Sequence, residues 1–278
     1  MPNAKNGTTT IAYESFGDAA APLILLINGL GSQMTRWPEP LCQRLTAKGY
    51  RAVRFDNRDV GKSTWFREAD RYSLSGMAAD AVAVLDAVGA AKAHVAGVSM
   101  GGMIGQAVAI EYPERVLSLT SIMSATGAPG TLDPTPEAGA VLTQPPPNPK
   151  TDYEAFLDQM VRNATIIGSP GYPWPEGALR QRAIAEYERA FNPTGSARQM
   201  AAIRGDGDRT ERLGKLKVPT VVLHGADDPL VPPAGGKATA DAIPGAELRL
   251  IPGMGHDLPP ALYDTIADAI LSAAARAR

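Results

Sequence analysis

The chain predicts an α/β fold: a mostly parallel central sheet flanked by helices, with one helical insertion. Two observations predict it. Short apolar runs alternate with helical patterns over both ends of the chain, the rhythm of strands joined by crossover helices. A long middle stretch keeps the helical patterns and loses the strands.

The elements follow in order. Asn6-Gly7 is a hairpin turn signal, and Thr8 to Glu14, rich in Thr with Ile and Tyr, reads as a strand after it. Leu23 to Ile27 is a continuous apolar run, the mark of a strand buried on both faces. Arg51 to Phe55, Ala93 to Val98, Val116 to Ile122, Thr220 to Leu223 and Glu247 to Ile251 complete the strands. Helical patterns lie between them. Trp37 to Lys48 ends at Gly49. Ser75 to Val88 opens on a Ser and ends at Gly89, a cap at each end. Met100 to Glu111 is stopped by Tyr112-Pro113, and Leu262 to Ala275 closes the chain.

From about Ala125 to Arg212 no strand is expected. A Pro/Gly-rich stretch, including Pro145-Pro146-Pro147, leads to helical segments near Asp152 to Ile167, Gly177 to Ala190 and Ser196 to Ile203. The division expected is a core in two parts, residues 1–124 and 213–278, with residues 125–212 as a helical cap. Such insertions often act as lids.

Composition narrows the function. A length of 278 residues suits one domain with an insertion, and 44% hydrophobic residues suffice for a core. The net charge is −2 and no basic cluster stands out, so no nucleic-acid partner is expected. The single cysteine, Cys42, lies in a helical pattern and reads as a buried thiol. The N-terminus lacks a signal-like apolar stretch, and no run is long enough to span a bilayer. A cytoplasmic protein with no membrane partner is the expectation.

The strongest chemical signal is Gly97-Val98-Ser99-Met100-Gly101. It fits G-x-S-x-G between a strand and a helix, so Ser99 sits on a sharp turn. Positions two before and two after such a serine crowd each other, which calls for glycine at 97 and 101. Gly102 is expected to let the helix pack close to the strand. The turn lifts the Ser99 hydroxyl above the carboxyl edge of the sheet, where sites form in open α/β folds. It also aims the Met100 N–H at a developing oxyanion.

With these residues the chain resembles the α/β-hydrolase family. Gly97 to Gly102 resembles its nucleophile turn, and four further stretches agree in order. Asn28-Gly29-Leu30-Gly31 stands where the family carries its oxyanion-loop His-Gly. Phe55 to Ser63 resembles its D-x-R-G-x-G-x-S loop. His224 to Pro232 resembles its acid loop, and Pro252 to His256 its histidine loop. Within the family, Arg58 to Ser63, Asp80 to Asp86 and Ile251 to His256 are similar to the anthracycline (aclacinomycin) methylesterases and related small bacterial esterases. The resemblance implies an α/β-hydrolase fold and makes Leu30, just after Gly29, the second oxyanion donor through its backbone N–H. Two departures stand out: Asn28 replaces the usual His, and Asn57-Arg58-Asp59 replaces the commoner Arg-Gly pattern, a change read as loop variation.

Only three histidines are present, so the base can be found by elimination. His94 starts the strand that leads to Ser99, far from the nucleophile. His224 ends a strand and is expected to order the loop after it. His256 lies in a Gly-rich loop after the last strand, free to place an imidazole over the sheet edge. Asp227 and Asp228 both lie on the acid loop; the resemblance aligns Asp228, through the family's Gly-x-x-Asp spacing, and leaves Asp227 as a solvated or capping residue. Asp257 is too close in sequence to His256 to orient it. The order Ser99, Asp228, His256 is the one expected for this fold.

The chemistry expected is two-step acyl transfer on a small-molecule ester: His256 deprotonates Ser99, the Met100 and Leu30 N–H groups hold the oxyanion, and water resolves the acyl-enzyme. Trp65, Phe66, Met160 and Trp174 are candidates for an apolar pocket, with packing as the competing role for each. No cofactor or metal is called for. Gly29 to Met34 only half matches a dinucleotide fingerprint, with Met34 in place of the third Gly. Gly61-Lys62-Ser63 lacks the upstream Gly of a phosphate loop, and the histidines and cysteine are scattered. A dehalogenase would need a carboxylate at position 99. Two alternatives share the fold: a cofactor-free perhydrolase or haloperoxidase-like enzyme, and a non-catalytic ligand-binding member.

Overall fold

A computed structural model describes every residue except Glu68 and Arg278, the latter being the last residue of the second core segment. Its sheet has eight strands: β1 (Asn3–Asn6), β2 (Thr9–Phe16), β3 (Leu23–Ile27), β4 (Arg51–Phe55), β5 (Ala93–Val98), β6 (Val116–Ile122), β7 (Thr220–Gly225) and β8 (Glu247–Ile251). Their spatial order is β1-β2-β4-β3-β5-β6-β7-β8. β1 and β2 form an antiparallel hairpin, β2 pairs antiparallel with β4, and the rest of the sheet is parallel. The fold class is therefore the one read from the sequence. The hairpin signalled by Asn6-Gly7 is present: β1, polar Asn-Ala-Lys-Asn with no apolar signature of its own, is a strand by pairing with β2.

Ten α-helices accompany the sheet among the described residues: α1 (Glu39–Thr46), α2 (Leu74–Ala87), α3 (Met100–Glu111), α4 (Pro136–Thr143), α5 (Tyr153–Ile167), α6 (Ala178–Arg189), α7 (Gly195–Asp206), α8 (Thr210–Leu213), α9 (Pro233–Ala242) and α10 (Tyr263–Ala275). α2 is capped by Ser73, whose hydroxyl accepts the Gly76 N–H, and not by Ser75. α4, α8 and α9 escape the sequence reading. α9, Pro-Ala-Gly-Gly-Lys-Ala-Thr-Ala-Asp-Ala, has poor intrinsic propensity; packing on β7, with Gly236 against the His224 ring, holds it.

Strands β3, β5 and β7 are buried along their whole length, as the apolar run Leu23–Ile27 implies. Side chains alternate between two apolar layers. Leu25 and Ile27 join α2 and α3 on one face; Ile24 and Leu26 join α1 and α10 on the other. Cys42 is buried in the second layer, and loss of hydration there pushes its thiol up to about 11.

Between β6 and β7 the chain contributes α4 to α8 and no strand. This segment has an apolar centre of its own, Phe156, Leu157 and Ala183, with Tyr153, Met160, Ile184, Tyr187 and Phe191 packed around it. No helix of the described residues is long and apolar enough to cross a membrane.

Candidate active site

The carboxyl edge of the sheet assembles one residue after another. Ser99 follows β5, and its N–H donates to the Ile122 carbonyl at the end of β6 (2.9 Å). The Met123 N–H donates to Leu223 of β7 (2.9 Å), and the Ala226 N–H to Ile251 of β8 (3.0 Å). On the other side Gly29, after β3, packs so closely that a Cβ there would lie 3.2 Å from Ser99 Cβ. Parallel strands all end at this edge, so their loops share one rim.

Ser99 occupies φ 56°, ψ −124°, a conformation that costs a non-glycine residue roughly 1–3 kcal/mol. The turn is tight enough that a Cβ at 97 would overlap the Gly101 carbonyl, and one at 101 the Ile27 carbonyl. Gly102 lets the helix pack close to the strand, as expected: a Cβ there would lie 3.2 Å from the Gly97 carbonyl and nearer still to Ser124, beyond β6. The serine is half-buried, and its hydroxyl has no hydrogen bond to any described residue, His256 included. Such bonds often tighten only when substrate binds. Among the described residues no acceptor takes the Leu30 N–H, and the Met100 N–H, first in α3, points out of the helix start.

His256 is buried, and its Nδ1 lies 2.7 Å from Asp228 Oδ2. A carboxylate only accepts, so Nδ1 carries the hydrogen and Nε2 keeps its lone pair. The other oxygen of Asp228 accepts the Leu230 and Val231 N–H groups, both at 2.9 Å, which fixes the carboxylate. Asp227 points elsewhere: it accepts the Gly253 N–H (2.6 Å), tying the acid loop to the histidine loop. His224 donates Nε2–H to the Val231 carbonyl (2.8 Å), ordering the acid loop; burial lowers its pKa and keeps it neutral. His94 is remote, bonded to Ser118 and edge-on to Tyr50.

The helical segment meets this rim at two places. At the histidine loop, Asp257 accepts from Ser169 Oγ and from Trp174 Nε1 (2.6 Å). Burial raises the Asp257 pKa against those bonds. Backbone ties reinforce the contact: His256 N–H to Ile167 O (2.6 Å) and Gly171 N–H to Gly253 O (2.9 Å). At the loops after β3 and β4 the ties include ion pairs. Arg189 donates to buried Asp56 (2.7 Å), and Arg198 grips buried Asp59 with two bonds of 2.8 Å. Burial alone would push the Asp59 carboxyl up; the bonds from Arg198, the Phe66 N–H and the Tyr72 hydroxyl outweigh it and hold the carboxyl below its ordinary range. Asp59 stands where the resembling loop pattern has Gly, and its φ of 69° shows why Gly is usual there. The departure is thus a built anchor, with Arg58 held by Asp80 beneath it.

The four pocket candidates go to different places. Trp65 is exposed, its ring N–H on the Gly61 carbonyl. Phe66 packs on Tyr72 and under the Arg58 guanidinium. Met160 joins the apolar centre of the helical segment. Trp174 alone comes near the histidine loop, with the Arg182 guanidinium over its ring at 4.6 Å. Trp174 also lines a cavity of about 670 Å³ with Ile166, Ser169, Leu179, Asp227 and Pro229, which reaches neither Ser99 nor His256. No group of three or more His, Cys, Asp or Glu among the described residues is placed to hold a metal ion. The residues that sequence reasoning missed are the anchors, Asp56, Asp59, Arg189, Arg198 and Asp257; only Asp59, a non-glycine in a glycine position, carried a local signal.

Comparison with known proteins gives the family. The model of the serine aminopeptidase S33 family of hydrolases matches residues 18–260. The chain is 31% identical to rhodomycin D methylesterase DauP of Streptomyces sp. (strain C5), over 94% of this chain and 93% of that protein. It is 30% identical to rhodomycin D methylesterase DnrP of Streptomyces peucetius, over 95% of each. The crystal structure of a hydrolase from Pseudomonas aeruginosa PA01 superimposes with a TM-score of 0.74 at 25% identity, covering 97% of this chain and 96% of that one. The chain belongs to the serine aminopeptidase S33 family, has the α/β-hydrolase fold, and is a serine hydrolase of the esterase type.

Proposed function

We propose that this enzyme hydrolyses a carboxylic ester of a hydrophobic or aromatic acid with a small alcohol, such as a methyl ester, through an acyl-enzyme on Ser99. The observation that carries the reading is the 2.7 Å bond between His256 Nδ1 and Asp228, which leaves Nε2 basic at the rim that Ser99 occupies. His256 takes the Ser99 proton as the oxygen attacks the ester carbonyl. The Leu30 and Met100 N–H groups receive the oxyanion. His256 then gives its proton to the departing alkoxide, and water, deprotonated by the same imidazole, releases the acid. Asp228 holds the tautomer and stabilises the imidazolium. The helical segment 125–212 serves as the cap over this rim.

The methyl-ester preference draws on the methylesterase relatives. Peptide hydrolysis of the aminopeptidase kind is disfavoured by the carboxylates that flank the histidine. Asp257 is taken up by Ser169 and Trp174, and Asp227 by a backbone N–H, so neither is spare to receive an amino terminus.

Hydrolysis of a graded panel of p-nitrophenyl and methyl esters, beside aminoacyl p-nitroanilides, tests the reading. Wild type is expected to turn over the esters, and Ser99→Ala to lose kcat by a factor on the order of 10⁶. Ester turnover by Ser99→Ala at the wild-type rate would remove the nucleophile and the triad with it. Efficient anilide turnover without ester turnover would replace the substrate class.

A further inference from the structure

The oxyanion loop is held from above. Ser32 N–H returns to Gly29 O (3.2 Å), and Gly31 at the third position has φ 64°, the pattern of a type II turn with Leu30 at its second position. The N–H of the central peptide, that of Gly31, finds its acceptor in the cap: Gln199 Oε1 on α7, at 2.7 Å. The same amide donates through Nε2 to the Arg58 carbonyl (2.9 Å). Gln199 is fully buried, so both bonds form away from water and each is costly to break. Ser196, one turn earlier on α7, sits directly over Gly31, where a Cβ would lie 2.6 Å from its hydroxyl.

We infer that Gln199 is a positioning residue for oxyanion stabilisation: a cap side chain fixes the turn that presents the Leu30 N–H to Ser99. Gln199 touches no reacting atom. It works by locking the plane of the peptide next to the donor, on a turn so close to the nucleophile that a Cβ at Gly29 would lie 3.2 Å from Ser99 Cβ. A docked cap is then part of a competent oxyanion site, and a displaced cap leaves the donor unsupported. The inference rests on the proposed role of Leu30, and its test separates the two.

Gln199→Met keeps the length and removes both bonds. Its kcat on p-nitrophenyl acetate should fall by about 10–100-fold, since misplacement of a donor costs up to its full worth. KM should stay within about twofold. Affinity for phenylboronic acid, whose adduct on serine places an oxygen in the oxyanion site, should weaken by the same factor as kcat. Gln199→Glu, which still accepts from Gly31, should recover most of the loss. Asn192→Ala, which cuts a neighbouring cap tie to the Asp59 carbonyl, should leave kcat unchanged. Wild-type kcat and boronate affinity in Gln199→Met would overturn the inference, as would an equal loss in Asn192→Ala. If Gln199→Met does not fold, Gln199→Asn, one methylene too short to reach Gly31, takes its place: a kcat loss of about tenfold is expected, and wild-type kcat overturns. Leu30→Pro runs beside them. Full activity there removes Leu30 as donor; lost activity there with active Gln199 variants removes only Gln199.

Discussion

The sheet and the helical segment between β6 and β7 are held by different chemistry. The inner strands are buried and apolar, and two layers of aliphatic side chains close over them. The helical segment has its own small apolar centre but meets the rim through directed bonds: Arg189 to Asp56, Arg198 to Asp59, Gln199 to Gly31, Asp257 to Ser169 and Trp174. Apolar contact is tolerant of small shifts; hydrogen bonds are not. The sheet therefore fixes where Ser99 and His256 stand, and the polar seam fixes how the helical segment meets the rim beside them. Damage to the two regions should read out differently.

The largest effect is expected at the sheet edge. Asp228→Asn keeps an oxygen for the Leu230 and Val231 N–H groups but turns an NH₂ toward His256, forcing the wrong tautomer. The protein should stay folded while kcat falls on the order of 10⁴-fold; a folded variant within tenfold of wild type would remove Asp228 from the triad.

Leu30→Pro comes next. Proline suits the second position of a type II turn and lacks the N–H. We expect near-native melting with a kcat loss of about 10²–10³-fold. Unchanged kcat would mean the donor lies elsewhere.

The seam should respond in stability. Arg198→Met leaves buried Asp59 without its ion partner and should cost about 2–4 kcal/mol in thermal or denaturant unfolding. Arg180→Ala, which breaks surface pairs with Glu154 and Asp158, should change the unfolding midpoint negligibly. Equal losses in the two would erase the distinction between a built seam and solvated charges. The Asp59 contribution is present above the ordinary carboxylate pKa of about 4 and fades as pH falls through its depressed folded value.

The smallest effect belongs to His224. Its folded pKa lies below the unfolded value of about 6.5, so the unfolded chain binds a proton that the native state refuses. Its stabilisation is full above that pH and declines on acidification. His224→Gln should flatten part of the stability loss between about pH 7 and 5. An unaltered slope would mean that His224 titrates alike in both states.

Much of this was legible in the residues. Leu23–Ile27 and Ala93–Val98 announce buried strands, and Gly97 to Gly102 announces a strained serine turn, because each signal is complete within a few neighbours. The misses were elements whose stability is not local. α9 is glycine-rich and exists by packing on β7, whereas β1, equally weak on its own, was signalled by the Asn6-Gly7 turn that follows it. The aromatic residues of the insertion were ambiguous for the same reason. Phe156, Tyr187 and Phe191 read equally as wall or filling, and the structure gives them to the interior of the helical segment.

The sequence by itself determined the sheet, the position of Ser99 on its turn, and His256 as the one histidine on a loop at the carboxyl edge. Only a resemblance aligned Asp228 over Asp227; where each carboxylate points is set by tertiary structure, since adjacent loop residues differ only in where the backbone aims them: one takes the Gly253 N–H, the other the His256 imidazole. Tertiary structure also decided the seam. Arg198 and Asp59 are 139 residues apart, and Gln199 and Gly31 168. A charge or amide whose partner is that distant carries no periodic signature in the chain, because folding alone brings the two within hydrogen-bond reach.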